Sequence, residues 1–298
     1  MPVSLDCIIC LTRQSLEAAR FATNDESRHS EVLKQTLRLV QEKGFNTIPP
    51  LVAQEIQRIV RRETGNDDPY GGPKREFNAL MLSVRDSLRK RIGKSDDPLH
   101  TAVQLAIAGN TIDYAVRADW NATLVFDAIE EAMRQPINGD VDRLIELIST
   151  SKHLLYLLDN CGEIVCDQLL IETIRRLRPE LDVTAVVRGA AVLNDAVRTD
   201  AKQVGLDETT RVVDNGNDAV GTLLEQCGPE FMKHFNEADL ILAKGLANFE
   251  TLIEYDIEKL PKTMCFLFKA KCPFIARFAE VTLGDLVVRI RTSDGSLS

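Results

Sequence analysis

The chain has no apolar run approaching the roughly 18 residues that a membrane span requires. It has no basic excess either: 36 Lys and Arg face 45 Asp and Glu, a formal net charge of −9. Binding to nucleic acid or an anionic membrane needs a basic footprint, so both partner classes are disfavoured. The stretch Met1 to Arg20 carries Asp6, Arg13, Glu17 and Arg20. It lacks a basic start followed by an apolar core, so no secretory signal is expected. The seven cysteines are an odd number, which suits a reducing cytoplasm better than a disulfide scaffold. His29, His100, His153 and His234 show no metal-ligand spacing, and Cys7-x-x-Cys10 has no second pair to complete a zinc site. What is present, 44% hydrophobic and 27% charged residues over 298 positions, describes an ordinary globular protein of about two domains.

The first half reads as helical. Ser30 to Lys43 places Val32, Leu33, Leu37 and Val40 near one face. Leu51 to Arg62, Phe77 to Ile92, Leu99 to Val116 and Ala122 to Met133 repeat that spacing of three and four. The run Asp67 to Pro73, Asp-Asp-Pro-Tyr-Gly-Gly-Pro, is a loop that serves either as a lid or as a plain connection. No strand of useful length is expected before residue 150. The pattern changes at Pro136 to Asp140, which divides the chain into a helical domain, 1–140, and a second domain, 141–298.

After one more helix, Val141 to Ser149, short apolar runs alternate with helical segments. His153 to Leu158, Val183 to Val187, Arg211 to Val213, Leu240 to Ala243 and Met264 to Phe268 read as strands, with Val287 to Ile290 as a possible last one. Helices are expected at Ile164 to Leu177 and Ala219 to Gln226. Such alternation predicts an α/β fold: a three-layer αβα, mostly parallel, Rossmann-like sheet behind an all-helical N-terminal region. Ligands of such sheets bind at the carboxyl ends of the strands. There the sequence places Asp159, Asn160 and Glu163, then Arg188 and Asp195, then Lys244 and Glu250, then Lys269, Lys271 and Cys272.

Asp159, Asn160 and Asp195 are hard oxygen donors suited to Mg²⁺ or Mn²⁺, and Lys244 is a point charge suited to phosphate. Together they are the equipment of phosphoryl transfer or phosphate-ester hydrolysis. Read alone, Asp159 is as well explained as a helix N-cap.

Five ordered motifs add specificity. The run Asp159-Asn160-Cys161-Gly162-Glu163 through Asp167 resembles the Asp-Asn-x-Gly-Glu-x-x-x-Asp signature of the damage-control phosphatases. Gly109-Asn110-x-x-Asp113, Arg188-Gly189 through Asn194-Asp195, Lys244-Gly245-x-x-Asn248-Phe249-Glu250 and Lys269-x-Lys271-Cys272-Pro273 match further segments of that family. Cys7-x-x-Cys10 and Asp68-Pro69-Tyr70 resemble its prokaryotic-type branch, and the likeness runs from about Cys7 to Ile290. The resemblance implies a divalent metal held at Asp159, Asn160 and Asp195, with Mn²⁺, Mg²⁺, Co²⁺ or Ni²⁺ as candidates. It implies that Lys244 meets the substrate phosphate, and that the substrate is a phosphate ester of a sugar or a damaged small metabolite.

Other residues carry two readings each. Asn110 and Asp113 share a helix face and either close over the site or tie the helix to a loop. Glu163 orients a water or a substrate hydroxyl, or is a first-turn acid favoured by the helix dipole. Asp167 supports the site from one turn behind, Arg188 contacts substrate, and Glu250 is a salt-bridge candidate for Lys244. Cys7 and Cys10 are half a metal site or two buried thiols.

The expectation is a cytoplasmic metal-dependent phosphatase using a metal-activated water. An aspartyl nucleophile is disfavoured because position 161 is Cys where a second Asp would stand. The alternatives are a catalytically silent metal- or metabolite-binding protein and, less favoured, an S-adenosylmethionine-dependent methyltransferase. The latter, like a nicotinamide enzyme, lacks its glycine-rich loop.

Overall fold

The computed structural model describes residues 1–111, 121–256 and 262–298. Three helices open the chain: α1 (Leu5–Ala22), α2 (Glu26–Lys43) and α3 (Pro49–Thr64). Ser4 and Asp25 accept backbone N–H groups at the starts of α1 and α2, and the Pro49-Pro50 pair starts α3 where no N–H is needed. Leu11, Ala18, Val32, Val52, Ile56 and Val60 close an apolar cluster of their own. Each fully buried Val, Leu or Ile there contributes on the order of 2 kcal/mol. Helix α1 is legible only afterwards. Its inward positions, Cys7, Leu11, Ser15, Ala18 and Ala19, keep the helical spacing but are mostly small.

Helices α4 (Gly71–Gly93), α5 (Pro98–Gly109), α6 (Ala122–Ala132) and α7 (Val141–Thr150) follow. Phe77, Met81, Leu88, Val103, Ile107 and Ile129 of this group share one continuous apolar cluster with the sheet.

The seven-stranded sheet has the order β1-β7-β6-β5-β2-β3-β4. Its strands are β1 (Ile137–Asn138), β2 (His153–Leu157), β3 (Asp182–Val187), β4 (Arg211–Asp214), β5 (Leu240–Lys244), β6 (Thr263–Lys269) and β7 (Leu286–Arg291). Neighbouring strands from β4 through β6 pair in parallel. Strand β7 runs antiparallel to β6, with Lys269 opposite Leu286. The intervening helix α13 (Pro273–Phe278) has six residues, too few to carry the chain back to the other end of the sheet.

The alternation along β2 divides the layers. Leu154 and Tyr156 face the side covered by α5 and by α8 (Glu163–Leu177), whereas Leu155 and Leu157 face α11 (Pro229–Glu237) and α12 (Gly245–Leu252). Two short helices, α9 (Arg198–Val204) and α10 (Leu206–Thr209), complete the set.

The helix expected over Ala219 to Gln226 is not formed. That segment is a loop ending in one 3-10 turn, Leu224–Gln226. Thr222 is drawn onto α12, its backbone N–H donating to Thr251 Oγ1 at 3.0 Å and its hydroxyl to Asn248 Oδ1 at 2.8 Å. Local helical periodicity loses to that tertiary anchoring.

Candidate active site

The turn after β2 and the turn after β3 are sewn together by their backbones. Cys161 N–H donates to Asn194 C=O at 2.9 Å, and Ala196 N–H to Asp159 C=O at 2.8 Å. Asn160 and Asp195 thus form an isolated antiparallel bridge, which brings the two expected carboxylates and the amide to one place. Two glycines permit this. A Cβ on Gly245, at φ 78°, would lie 1.9 Å from Asp159 Oδ2, and one on Gly162, at φ 77°, would lie 2.2 Å from the Phe77 ring. Asn78 of α4 locks the turn from behind, its side-chain oxygen accepting the Gly162 N–H at 2.6 Å. The sequence reading missed Asn78. Its signal is a polar residue inside the Phe77–Met81 apolar stripe, and it is fully buried.

Asn160 Nδ2 donates to Asp159 Oδ2 at 2.6 Å and to Glu163 Oε2 at 3.2 Å. Asn110 Nδ2 donates to Glu163 Oε2 at 2.6 Å and to Asp159 Oδ2 at 3.4 Å. Arg188 Nε donates to Asp195 Oδ2 at 2.7 Å. Its Nη2 stands 3.6 Å from Asp159 Oδ1 without a hydrogen bond, although the residue is buried. Asn248 accepts from Arg188 Nη1 at 3.4 Å and so helps to fix that guanidinium. Among the described residues, no hydrogen bond reaches Asp159 Oδ1, Asn160 Oδ1 or Asp195 Oδ1.

Lys244 sits differently from the expectation. It is fully buried, and Nζ donates to Glu163 Oε1 at 2.6 Å, Asp167 Oδ1 at 2.7 Å and Ala106 C=O at 2.9 Å. An ammonium has three donors, so none is left for a phosphate in this arrangement. Burial works to depress its pKa, but the Asp167 and Glu163 carboxylates more than offset that and hold it above the ordinary lysine value. Glu163 and Asp167 therefore meet Lys244 directly, and Glu250 does not. Tyr156 adds a hydroxyl to Asp167 Oδ1 at 2.7 Å.

A cleft of about 400 Å³ opens in front of Asp159, Asn160, Asp195 and Asn110. Helices α1 and α3 roof it, and among the described residues Lys271 is the cation on its wall. Cys7, Cys10 and Cys272 line it as free thiols. Burial raises the Cys10 thiol pKa, with Cys272, Cys7 and Glu250 adding to the effect. Glu250, also on the wall, is pushed up to about 7 by burial. The loop expected over Asp67 to Pro73 is shorter, since Gly71 to Pro73 open α4, and it is held down instead of lining the cleft: buried Lys74 lies 3.1 Å from Asp68 and 3.2 Å from Asp200. Asp113 lies outside the described residues.

The residues suit a hard divalent cation. Four buried carboxylates, Asp159, Glu163, Asp167 and Asp195, are in contact with two buried cations, Arg188 and Lys244. Burial, then Asp195 and Glu163, raises the Asp159 pKa well above the ordinary carboxylate value. Burial likewise raises Asp195, against the pull of Arg188. A cluster short of positive charge takes up a proton or a cation, and two carboxylates with an amide carbonyl are donors for the latter. Among the described residues no three His, Cys, Asp or Glu side chains gather as a cage, so the set differs from a structural zinc site.

Comparison with known proteins identifies the family and the fold. The family model of the damage-control phosphatase ARMT1-like domain matches residues 3–287. The chain belongs to the damage-control phosphatase family. A damage-control phosphatase of Archaeoglobus fulgidus is 33% identical over 97% of this chain and 99% of its own length. One from Pyrococcus horikoshii is 33% identical over 96% and 97%. The crystal structure of a DUF89 family protein from P. horikoshii superposes with a TM-score of 0.87 at 31% identity, covering 96% of this chain and 98% of that one. The αβα fold behind a helical N-terminal region is thereby that of the damage-control phosphatases.

Proposed function

We propose that the chain is a divalent-metal-dependent phosphatase that hydrolyses phosphate monoesters of small metabolites at the Asp159–Asn160–Asp195 edge. The observation that carries this reading is the trio of oxygens without hydrogen bonds, Asp159 Oδ1, Asn160 Oδ1 and Asp195 Oδ1, at the mouth of a cleft. They would hold the metal. The bound cation supplies positive charge against the phosphoryl oxygens and lowers the pKa of a water.

The other residues act around it. Arg188 Nη2, buried and unpaired, is a donor facing Asp159 Oδ1, and its guanidinium fixes the orientation of Asp195. Lys271, exposed on the cleft wall, is the cation positioned to meet a phosphate; we assign it the role first expected of Lys244. Lys244 acts through Glu163, holding it where its second oxygen receives Asn110 and Asn160. Glycine 162 starts α8, so that helix N-terminus also favours an anion.

The test is release of phosphate from para-nitrophenyl phosphate and a panel of phosphate esters, with Mn²⁺, Mg²⁺, Co²⁺ or Ni²⁺ and with chelator. Turnover that requires metal and disappears in Asp159→Ala bears the reading out. A folded protein that binds metal but cleaves nothing would instead be a silent metal- or metabolite-binding member of the family.

A further inference from the structure

Beneath the backbone bonds that sew the Asp159–Asn160 turn to the Asp195 turn runs a second connection, made by side chains. Lys74 and Asn78 stand one turn apart on the same face of α4, and Asp200 lies in the first turn of α9. All three are buried, and none is on the cleft wall. Asn78 Oδ1 accepts the Gly162 N–H at 2.6 Å, two residues after Asn160. Asp200 Oδ2 accepts the Val197 N–H at 3.0 Å, two residues after Asp195. The two side chains then meet: Asn78 Nδ2 donates to Asp200 Oδ1 at 3.5 Å and to Gln203 Oε1 at 2.9 Å. Lys74 Nζ lies 3.2 Å from Asp200 Oδ2 and 3.1 Å from Asp68 Oδ2, which ties the pair back to the start of α4. One buried polar chain therefore ends on a backbone N–H of each turn.

Stability alone does not account for it. Taking an ammonium, a carboxylate and an amide out of water costs free energy, and apolar side chains of similar volume often hold two elements together at least as well. Phe77, Met81 and Val84 of the same helix do pack in that way. What the polar side chains add is direction, because each acceptor fixes where one N–H points. Gly162, at φ 77°, has wide conformational freedom of its own, so the peptide before it gains definition from an outside acceptor. Asp159 and Asn160 belong to one turn and Asp195 to the other. A cation shared by them needs their oxygens held to within about half an ångström.

We propose that Lys74, Asn78 and Asp200 are positioning residues for the metal edge. They set the separation of the two turns, and so govern metal affinity and turnover without touching metal or substrate. This rests on the phosphatase reading and deepens it.

The experiment uses whichever of Mn²⁺, Mg²⁺, Co²⁺ or Ni²⁺ the parent protein binds most tightly. Three quantities are measured on the whole chain: the metal dissociation constant by calorimetry, kcat and KM for para-nitrophenyl phosphate at saturating metal, and denaturant unfolding without metal. The variants are Asn78→Leu, which keeps the volume but removes the Gly162 acceptor, and Asp200→Ala, which removes the Val197 acceptor. Asp200→Asn is the conservative partner: it retains an acceptor for Val197, and Lys74 keeps Asp68. Val84→Ala is the control, a buried apolar truncation further along α4 that leaves the network intact.

Asn78→Leu and Asp200→Ala should each bind the metal at least about tenfold more weakly and lose about ten- to a hundredfold in kcat. Their KM should change by less than about threefold, since substrate contacts are untouched. Asp200→Asn should recover most of both losses, and Val84→Ala should lose stability while keeping affinity and kcat. Unchanged affinity and kcat in either Asn78→Leu or Asp200→Ala overturns the proposal, whatever happens to stability. So does a failure of both to fold with metal present, which would make the network a support of the fold. An equal loss of affinity in Val84→Ala overturns it too, because any loosening of α4 would then suffice. A parent that binds metal but cleaves no ester defeats the phosphatase reading alone, and the affinities still decide this proposal. A parent that binds none of the four metals defeats both.

Discussion

Two buried charge clusters lie side by side behind the cleft, and they are finished to different degrees. Around Lys244 all three ammonium donors are used, and Asp167 has both Lys244 and the Tyr156 hydroxyl on one oxygen, its Oδ2 being the one buried atom of this cluster without a hydrogen bond. Around Asp159 and Asp195, three oxygens lack hydrogen bonds and one guanidinium nitrogen has no partner. The difference is one of access: Asp159, Asn160 and Asp195 line the cleft, whereas Lys244, Glu163 and Asp167 are closed off from it. A buried cluster whose cation is fully paired contributes through that pairing, and losing a member strands charges. An unsaturated one at a cleft mouth is incomplete until something binds. The contrast separates groups that shape the site from groups that work in it.

The sharpest way to break that contrast is to remove one member from each side. Lys244→Met leaves Glu163 and Asp167 buried without their cation and should cost about 3–5 kcal/mol, read by denaturant unfolding. Adding Asp167→Asn should recover part of that loss, since the two act as a pair. Asp159→Asn should do the reverse. Turnover should fall on the order of a thousandfold, while metal-free stability is unchanged or improved because like-charge repulsion is relieved. If Lys244→Met folded normally and lost only activity, the ammonium would belong with the working groups after all.

Metal titration followed by thermal unfolding sharpens the same contrast without turnover. Mn²⁺ at about a hundred times its dissociation constant stabilises the folded state by roughly 2.7 kcal/mol. For a chain of this size that is a rise of roughly 5 °C in Tm. The rise should persist in Asp167→Asn and vanish in Asp159→Asn. A rise retained in Asp159→Asn would move the cation away from this edge.

How far the sequence foretold this site depends on which physical rule placed each residue. Asp159, Asn160 and Asp195 follow from strand ends in a parallel sheet, so alternation of β and α segments sufficed to gather them. Lys244 also ends a strand, but whether its side chain enters the cleft or the interior depends on register and on the fit of Glu163 and Asp167 beneath it. Asn78 acts from a helix about 80 positions before Gly162, and no local pattern announces such a contact. The roof was illegible for the same reason. Leu11, in a helix that no periodicity announced, and Pro50 and Ala53 at the start of α3 carry no local signal of a site, and only the docking of α1 and α3 turns them toward the cleft.

That docking supplies the smallest of the expected effects, through a third charged cluster. Asp218, in the turn after β4, receives Arg58 and Arg61 from α3, with Gln54 Nε2 at 2.8 Å. Partial burial works against ionisation, but these donors win and depress its pKa to about 2. The sign follows from linkage: a carboxyl with a lowered folded-state pKa adds stability above its unfolded value near 3.8, and that stability is lost as pH falls toward 2. Because Asp218 is partly open to solvent, the contribution is discounted to about 1 kcal/mol. Asp218→Asn should therefore unfold more easily than the parent at pH 6, with the gap closing between about pH 4 and pH 2. The same variant should loosen the roof and raise KM without lowering kcat for a good substrate, because no reacting atom touches Asp218. A fall in kcat alone would place this clamp among the working groups and blur the distinction drawn between the two clusters.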